Sequence, residues 1–242
     1  NFVPEVYQTF LDTPAAFLNG KKPGEFFEAF DQPEYLIAWL SAYVEADENV
    51  PDMLLNRIAD LGEPAAPALL EALKQDDLPD ELRMHLISLL REIDSPLPYP
   101  LYIKWITQWD GQNELVENAI ETLESAENAS DDIYEAIRSA YSAATLYGQV
   151  AFLSILSSQH GYEAMAEKAI RLFEEHPEQR IYLAAILARF GQRQALPALK
   201  KAALSSETDY LLFIELRSAI EALGDDAPKR KFTDDQAYLA LH

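Results

Sequence analysis

The sequence predicts an all-α fold made of helix pairs repeated along the chain, and three observations carry that prediction. Apolar residues recur at helical spacing, glycines and prolines punctuate the stripes, and one short motif occurs twice. The clearest unit is the stretch Pro177–Leu204. Leu183, Ile186, Leu187 and Phe190 stand at i, i+3, i+4 and i+7, so they share one helix face. Gly191 follows, where a helix commonly ends because glycine enters the left-handed region without a Cβ clash. Leu196, Leu199 and Ala203 then line a second face. A single helix–turn–helix cannot cover both faces, so the unit needs copies of itself on either side.

Taken in order, residues 1–32 read as an irregular N-terminal capping segment. Phe2, Val3, Tyr7, Phe10 and Leu11 fit one short amphipathic helix. Pro14, Gly20, Pro23 and Gly24 interrupt it, and Phe26, Phe27 and Phe30 add a second apolar turn. Residues 33–224 read as the repeat array, with helices over 33–46, 50–61, 64–74, 79–93, 97–109, 113–126, 130–146, 148–158, 162–175, 178–190, 194–204 and 207–223. Residues 225–242 read as a linker and a short capping helix near 233–241, all within one structural domain. Pro33, Pro51, Pro64, Pro79 and Pro177 fall where a first helical turn tolerates a missing N–H. Gly62, Gly111, Gly148, Gly161, Gly191 and Gly224 lie at or beside the junctions. No Asn-Gly or Asp-Gly separates two alternating β-branched runs, so no hairpin is signalled.

The repetition is explicit. ADLGEPAAPALLEAL (Ala59–Leu73) parallels ARFGQRQALPALKKAAL (Ala188–Leu204), each running from an apolar residue through Gly and a polar turn into Pro-Ala-Leu. A third start, ALGDDA, stands at Ala222–Ala227, and Gly161, Gly191 and Gly224 are spaced by 30 and 33 residues, one helix pair per repeat. The helices that follow match as well: Leu82, Leu86, Leu89, Leu90 and Ile93 make one stripe, and Leu212, Leu216, Ala219 and Leu223 another.

On these residues the chain resembles HEAT-like repeat proteins, of the short bacterial type named after phycocyanobilin lyases. The matching positions are Leu61-Gly62 with Ala66, Pro67 and Leu69, and Phe190-Gly191 with Ala195, Pro197 and Leu199; the first copy is one residue shorter between Gly and Pro. The resemblance covers about 61–93 and 161–227, is weaker over 94–160 and is absent from 1–32. It implies a right-handed α-solenoid of about five or six antiparallel helix pairs whose second helices line a concave face. The motif specifies packing and carries no chemistry.

Composition narrows the function classes. Net charge is −22 over 242 residues, and residues 1–160 alone carry a net of −20. Such a field repels phosphate backbones and anionic lipid surfaces, which argues against nucleic-acid and membrane partners. No basic start leads into an apolar core as in a signal peptide, and there is no cysteine, so disulfides, thiolate nucleophiles and cysteine-based metal sites drop out. Both features point to a cytoplasmic protein. No HExxH helix, Gly-x-Ser-x-Gly elbow, phosphate loop or dinucleotide fingerprint is present. The His-Glu dipeptides by which some HEAT-like enzymes hold two irons are also missing. His85 reads as a helix-flank residue and His176 as a turn residue, so no catalytic, cofactor-binding or metal-ligating residue is nominated.

One stretch stands apart. In SPLPYPLYIKWITQWD, Pro96, Pro98 and Pro100 precede a helix carrying Tyr102, Trp105 and Trp109 at i, i+3 and i+7, with Tyr99 ahead of them. That aromatic face either packs against neighbouring helices or stands partly open as a binding ridge, since Trp and Tyr are enriched at interface hot spots. In the second case Tyr99, Tyr102, Trp105 and Trp109 are the candidate partner-binding residues, and the acidic surroundings suit Lys or Arg of a basic protein or peptide. The Lys229-Arg230-Lys231 cluster reads either as a solvated linker or as a segment that docks back on the acidic body. The functional expectation is a non-catalytic protein- or peptide-binding scaffold working through its concave face. An enzyme or small-molecule binder with a pocket near Trp105 and Trp109, and a helical spacer within a longer protein, are the other two readings.

Overall fold

The computed structural model describes residues 13–16, 20, 22–126, 129–233 and 235–241, and every regular element among them is helical. The apolar turn expected over Phe2–Leu11 lies outside the described residues. The chain divides into two compact units, the first ending at Pro100 and the second beginning at Leu101.

The first unit holds α1 (Pro33–Glu45), α2 (Asp52–Asp60), α3 (Ala66–Leu73) and α4 (Asp80–Glu92). Each buries the stripe its spacing dictates: Leu36, Ile37, Leu40 and Val44 on α1, Leu54 and Ile58 on α2, Leu69 and Leu73 on α3, and Leu82, Leu86, Leu89 and Leu90 on α4. α1 packs on α2, α3 and α4, and α4 also packs on α2 and α3. Ahead of α1, Phe27 is buried and Phe26, Phe27 and Phe30 gather around Trp39, with ring centroids 4.6–6.1 Å from the indole. Arg57 fixes this segment by donating to the Phe30 carbonyl at 3.1 Å and pairing with Asp31.

In the second unit follow α5 (Tyr99–Thr107, whose first turn holds the boundary), α6 (Glu114–Glu124), α7 (Asp131–Ala140), α8 (Leu146–Ser157), α9 (Ala166–Glu175), α10 (Arg180–Phe190), α11 (Leu196–Leu204), α12 (Tyr210–Ala222) and α13 (Gln236–Leu241). Several helices two apart in sequence are neighbours in space. α6 packs on α8, α8 on α10 and α10 on α12, while α9 packs on α11 and both pack on the helices that follow them. α6, α8, α10 and α12 therefore form one layer, with α9 and α11 in the other. α8 buries Val150, Ala151, Phe152, Leu153, Ile155 and Leu156 on all sides, as a helix in the middle of a layer must.

Two boundaries differ from the sequence reading. The helix expected over 130–146 ends at Ala140, continues as one 3-10 turn over Tyr141–Ala143, and turns extended at Ala144. Thr145 then caps α8: its side chain accepts from the Gly148 amide at 3.1 Å, satisfying a first-turn donor. Consequently Gly148 lies inside α8 rather than at a junction. A Cβ there would lie 2.3 Å from the backbone oxygen of Ile106 on α5, so glycine is what lets the two helices approach. The other helix stops include two that glycine spacing does not mark. Asp47 and Asp94 adopt left-handed φ values of 54° and 57°, and the Glu48 and Ser95 amides reach back to Tyr43 and Leu90, six-residue closures that end α1 and α4.

The C-terminal segment docks back on the protein. Arg230 donates to the Ala203 and Ser205 carbonyls at the end of α11 and lies 4.7 Å from the Phe232 ring centroid. Lys229 and Lys231 stay exposed. Phe232 packs against Tyr210 and Phe213, and the Asp235 carboxylate accepts from the amides of Tyr210, Ala237 and Tyr238, joining α12 to α13.

Candidate functional site

A groove of about 640 Å³ opens on the layer formed by α6, α8, α10 and α12. Its lining follows helical spacing on three parallel tracks: Glu117, Ile120 and Glu121 on α6; Tyr147, Val150, Ala151 and Ser154 on α8; Tyr182, Ala185, Ile186 and Arg189 on α10. One set of cross-links fixes the register. Arg189 donates through Nη2 to Ser154 Oγ at 2.7 Å and through Nε to Ser157 Oγ at 2.8 Å. Ser154 in turn donates to the Glu124 carboxylate, and Ser157 to the Ser154 carbonyl at 2.7 Å. Glu124, Ser154 and Arg189 are separated by 30 and 35 residues, and the same offsets carry Glu117 to Tyr147 and Tyr182. The groove thus grades from an aromatic end, through small and aliphatic side chains, to a polar end.

At the aromatic end Tyr147 is 41% exposed, Ile181 43% and Tyr182 64%, large apolar groups left open beside one another. Trp109 joins them, its ring centroid 6.0 Å from that of Tyr147 at an edge-on 66°. The turn at Gly111 admits this: a Cβ on that residue would meet the Tyr147 ring at 2.7 Å. Thr145 ties the turn to α8 by donating to the Trp109 carbonyl at 2.5 Å and placing its amide 3.1 Å from the Thr107 carbonyl. Glu117, Glu121 and, from α12, Glu215 also line the groove, against the single cation Arg189 among the described residues.

The predicted aromatic face is divided. Tyr99 and Tyr102 are 1% and 0% exposed, so those rings belong to the interior. Trp105 is half-buried, its ring 5.6 Å from that of Tyr102, and does not line the groove. Trp109 alone of the four candidates does, and it stands two residues past the end of α5 rather than on the helix expected over 97–109. Tyr147, Ile181, Tyr182 and the Glu124–Ser154–Arg189 chain escaped the sequence reading, because an apolar residue on an amphipathic helix reads as core until its neighbours are known. The 30-residue offset was the available signal, since that length also appears in the glycine spacing, while the 35-residue offset has no counterpart there.

Other clusters are smaller. His85 Nε2 lies 4.0 Å from Glu81 on the same helix, and His176 Nδ1 3.1 Å from Glu178 at a helix end. Among the described residues no group of three or more His, Asp or Glu side chains converges as a metal site would. No helix among them is long and apolar enough to cross a membrane. No family model matches the chain, and neither a curated protein nor a solved structure matches it.

Proposed function

We propose that the second unit is a stretch of right-handed, HEAT-like α-solenoid that binds a protein or peptide segment in the groove on its α6–α8–α10–α12 layer. One observation carries the reading: Tyr147, Ile181 and Tyr182 stand exposed together in a groove rimmed by carboxylates. Contiguous exposed apolar surface beside polar rims is the usual mark of an interaction site, and tyrosine supplies contact area at small entropic cost. The resemblance adds support, because the helix following Pro197-Ala198-Leu199 is α12, which lies in the grooved layer.

The test is capture from source-cell lysate by the immobilised chain and by an Ala185→Trp variant. Ala185 is exposed on the groove wall, so the indole fills the groove without entering the core. A protein retained by the native chain and lost with the variant supports the reading; equal retention by both, or none by either, overturns it.

The groove volume favours a second reading, since about 640 Å³ falls within the range of small-molecule sites. In that case a small molecule, bound or transformed beside Trp109, raises the melting temperature of the native chain and leaves Ala185→Trp unmoved.

A further inference from the structure

Resting on the reading of the groove as a peptide site, we propose that it accepts its occupant in one orientation. The segment places a Lys or Arg side chain at the Glu117 end, lays apolar side chains along the middle, and carries no cation over Arg189. Charge is distributed unevenly along the tracks. Tyr147 and Tyr182 each stand seven residues before Ser154 and Arg189 on their helices, so the two ends of the groove are about 10 Å apart.

At the first end, exposed tyrosine faces sit in register with the Glu117 carboxylate, and Trp109 stands edge-on to Tyr147. Glu215, 33 residues on from Tyr182 as Gly224 is from Gly191, adds a second carboxylate from α12. Aromatic faces and carboxylates together favour a cation whose alkyl stem lies on the rings and whose head meets the acids. In the middle, Ala151, Ala185 and Ile186 offer neither donor nor acceptor side chains, so apolar groups lose nothing along them, while Glu121, 30 residues before Ala151, adds a third carboxylate, from α6, on the Glu117 side of Arg189. At the second end the Arg189 guanidinium is held by two serine hydroxyls, one of which also donates to Glu124. It is therefore fixed in place, and a second cation beside it meets like charge. Reversing the segment would put its cation against Arg189 and leave Glu117 unpaired, which makes the orientation specific.

The experiment pans a library of random displayed peptides on the full chain, then measures labelled synthetic copies of enriched sequences by fluorescence anisotropy. The expected enriched peptides share a Lys or Arg on one side of an apolar pair. Glu117→Lys and Glu215→Lys, both at solvent-accessible positions, each weaken such a peptide by about tenfold or more. Arg189→Glu improves binding of a peptide given a second Lys at its far end, with circular dichroism confirming that each variant is folded. Enriched peptides that lack a basic residue, or that bind Glu117→Lys and Glu215→Lys as tightly as the native chain, overturn the orientation and leave the groove standing. No enrichment, or binding that Ala185→Trp does not disturb, overturns the groove reading and the orientation with it.

Discussion

Replacing Gly148 by alanine tests the packing beneath the groove. Gly148 is the third residue of α8 and is buried, and its would-be Cβ lies 2.3 Å from the Ile106 oxygen, 3.3 Å from the Ile106 carbon and 3.2 Å from the Ala144 Cβ. Real Cβ contacts essentially never fall below 3.0 Å, so α5 and α8 must part by at least about 0.7 Å. The atom in the way is backbone oxygen, which cannot rotate aside as a side chain would. Two opposing effects set the sign. Alanine in a helix interior gains about 1 kcal/mol over glycine. Overpacking that forces a backbone shift costs about 1–3 kcal/mol, and a contact this short with backbone belongs at the upper end. The net expectation is a loss of about 2 kcal/mol, read from the urea midpoint by circular dichroism. The same parting strains the links from Thr145 to the Thr107 and Trp109 carbonyls, so the fluorescence of the groove-lining Trp109 changes too. A Gly148→Ala protein more stable than the native chain by about 1 kcal/mol, the propensity gain alone, refutes the account of this contact.

Leu187 is fully buried on α10, and Leu187→Ala is expected to lower stability by about 2–5 kcal/mol in the same assay; a change below about half a kcal/mol removes the residue from the core. Burial pushes the Tyr141 phenol up to about 12, with Arg171 opposing the shift and Glu175 adding to it. The folded state thus favours the neutral phenol, so this contribution is complete below pH 10 and is lost as pH rises toward 12. Urea midpoints of Tyr141→Phe should accordingly fall less steeply than those of the native chain across that window, and parallel curves contradict the assignment. The Tyr210 and Tyr238 amides hold the Asp235 carboxyl below its ordinary value, with burial opposing them and the Ala237 amide and Arg230 adding to the shift. That stabilisation persists above the ordinary carboxyl range and disappears as pH falls through the depressed value. Asp235→Ala should speed hydrogen exchange at Tyr210, Ala237 and Tyr238 near neutral pH, and unchanged exchange contradicts the cap.

Helices were legible because a buried face at 3.6-residue spacing leaves a pattern no strand can share, and Leu183, Ile186, Leu187 and Phe190 are all buried as their spacing dictates. The break at Ala140–Ala144 was not legible. Tyr141 and Ala144 continue the apolar stripe and no Gly or Pro interrupts it, so the stop depends on Thr145 capping the next helix. Gly148 looked like punctuation because a glycine needed for close approach and a glycine needed for a turn are the same letter. The groove was legible in part. Trp109 was named, but it stands past the end of α5, whereas Tyr99 and Tyr102 are on that helix and lie inside. Whether an apolar residue is covered depends on neighbours some 30 residues away, as Glu124, Ser154 and Arg189 show, and periodicity within one helix cannot report them.

The central claim is that the open face of the α6–α8–α10–α12 layer is where a partner segment sits. Hydroxyl-radical footprinting of the chain, free and with the tightest peptide recovered by panning, tests it most directly. Protection is predicted at Trp109, Tyr147, Ile181 and Tyr182, with Tyr35 and Leu204, exposed outside the groove, labelled equally in both samples. Protection of Tyr35 or Leu204 with Tyr147 and Tyr182 still labelled would place the partner elsewhere and contradict the account.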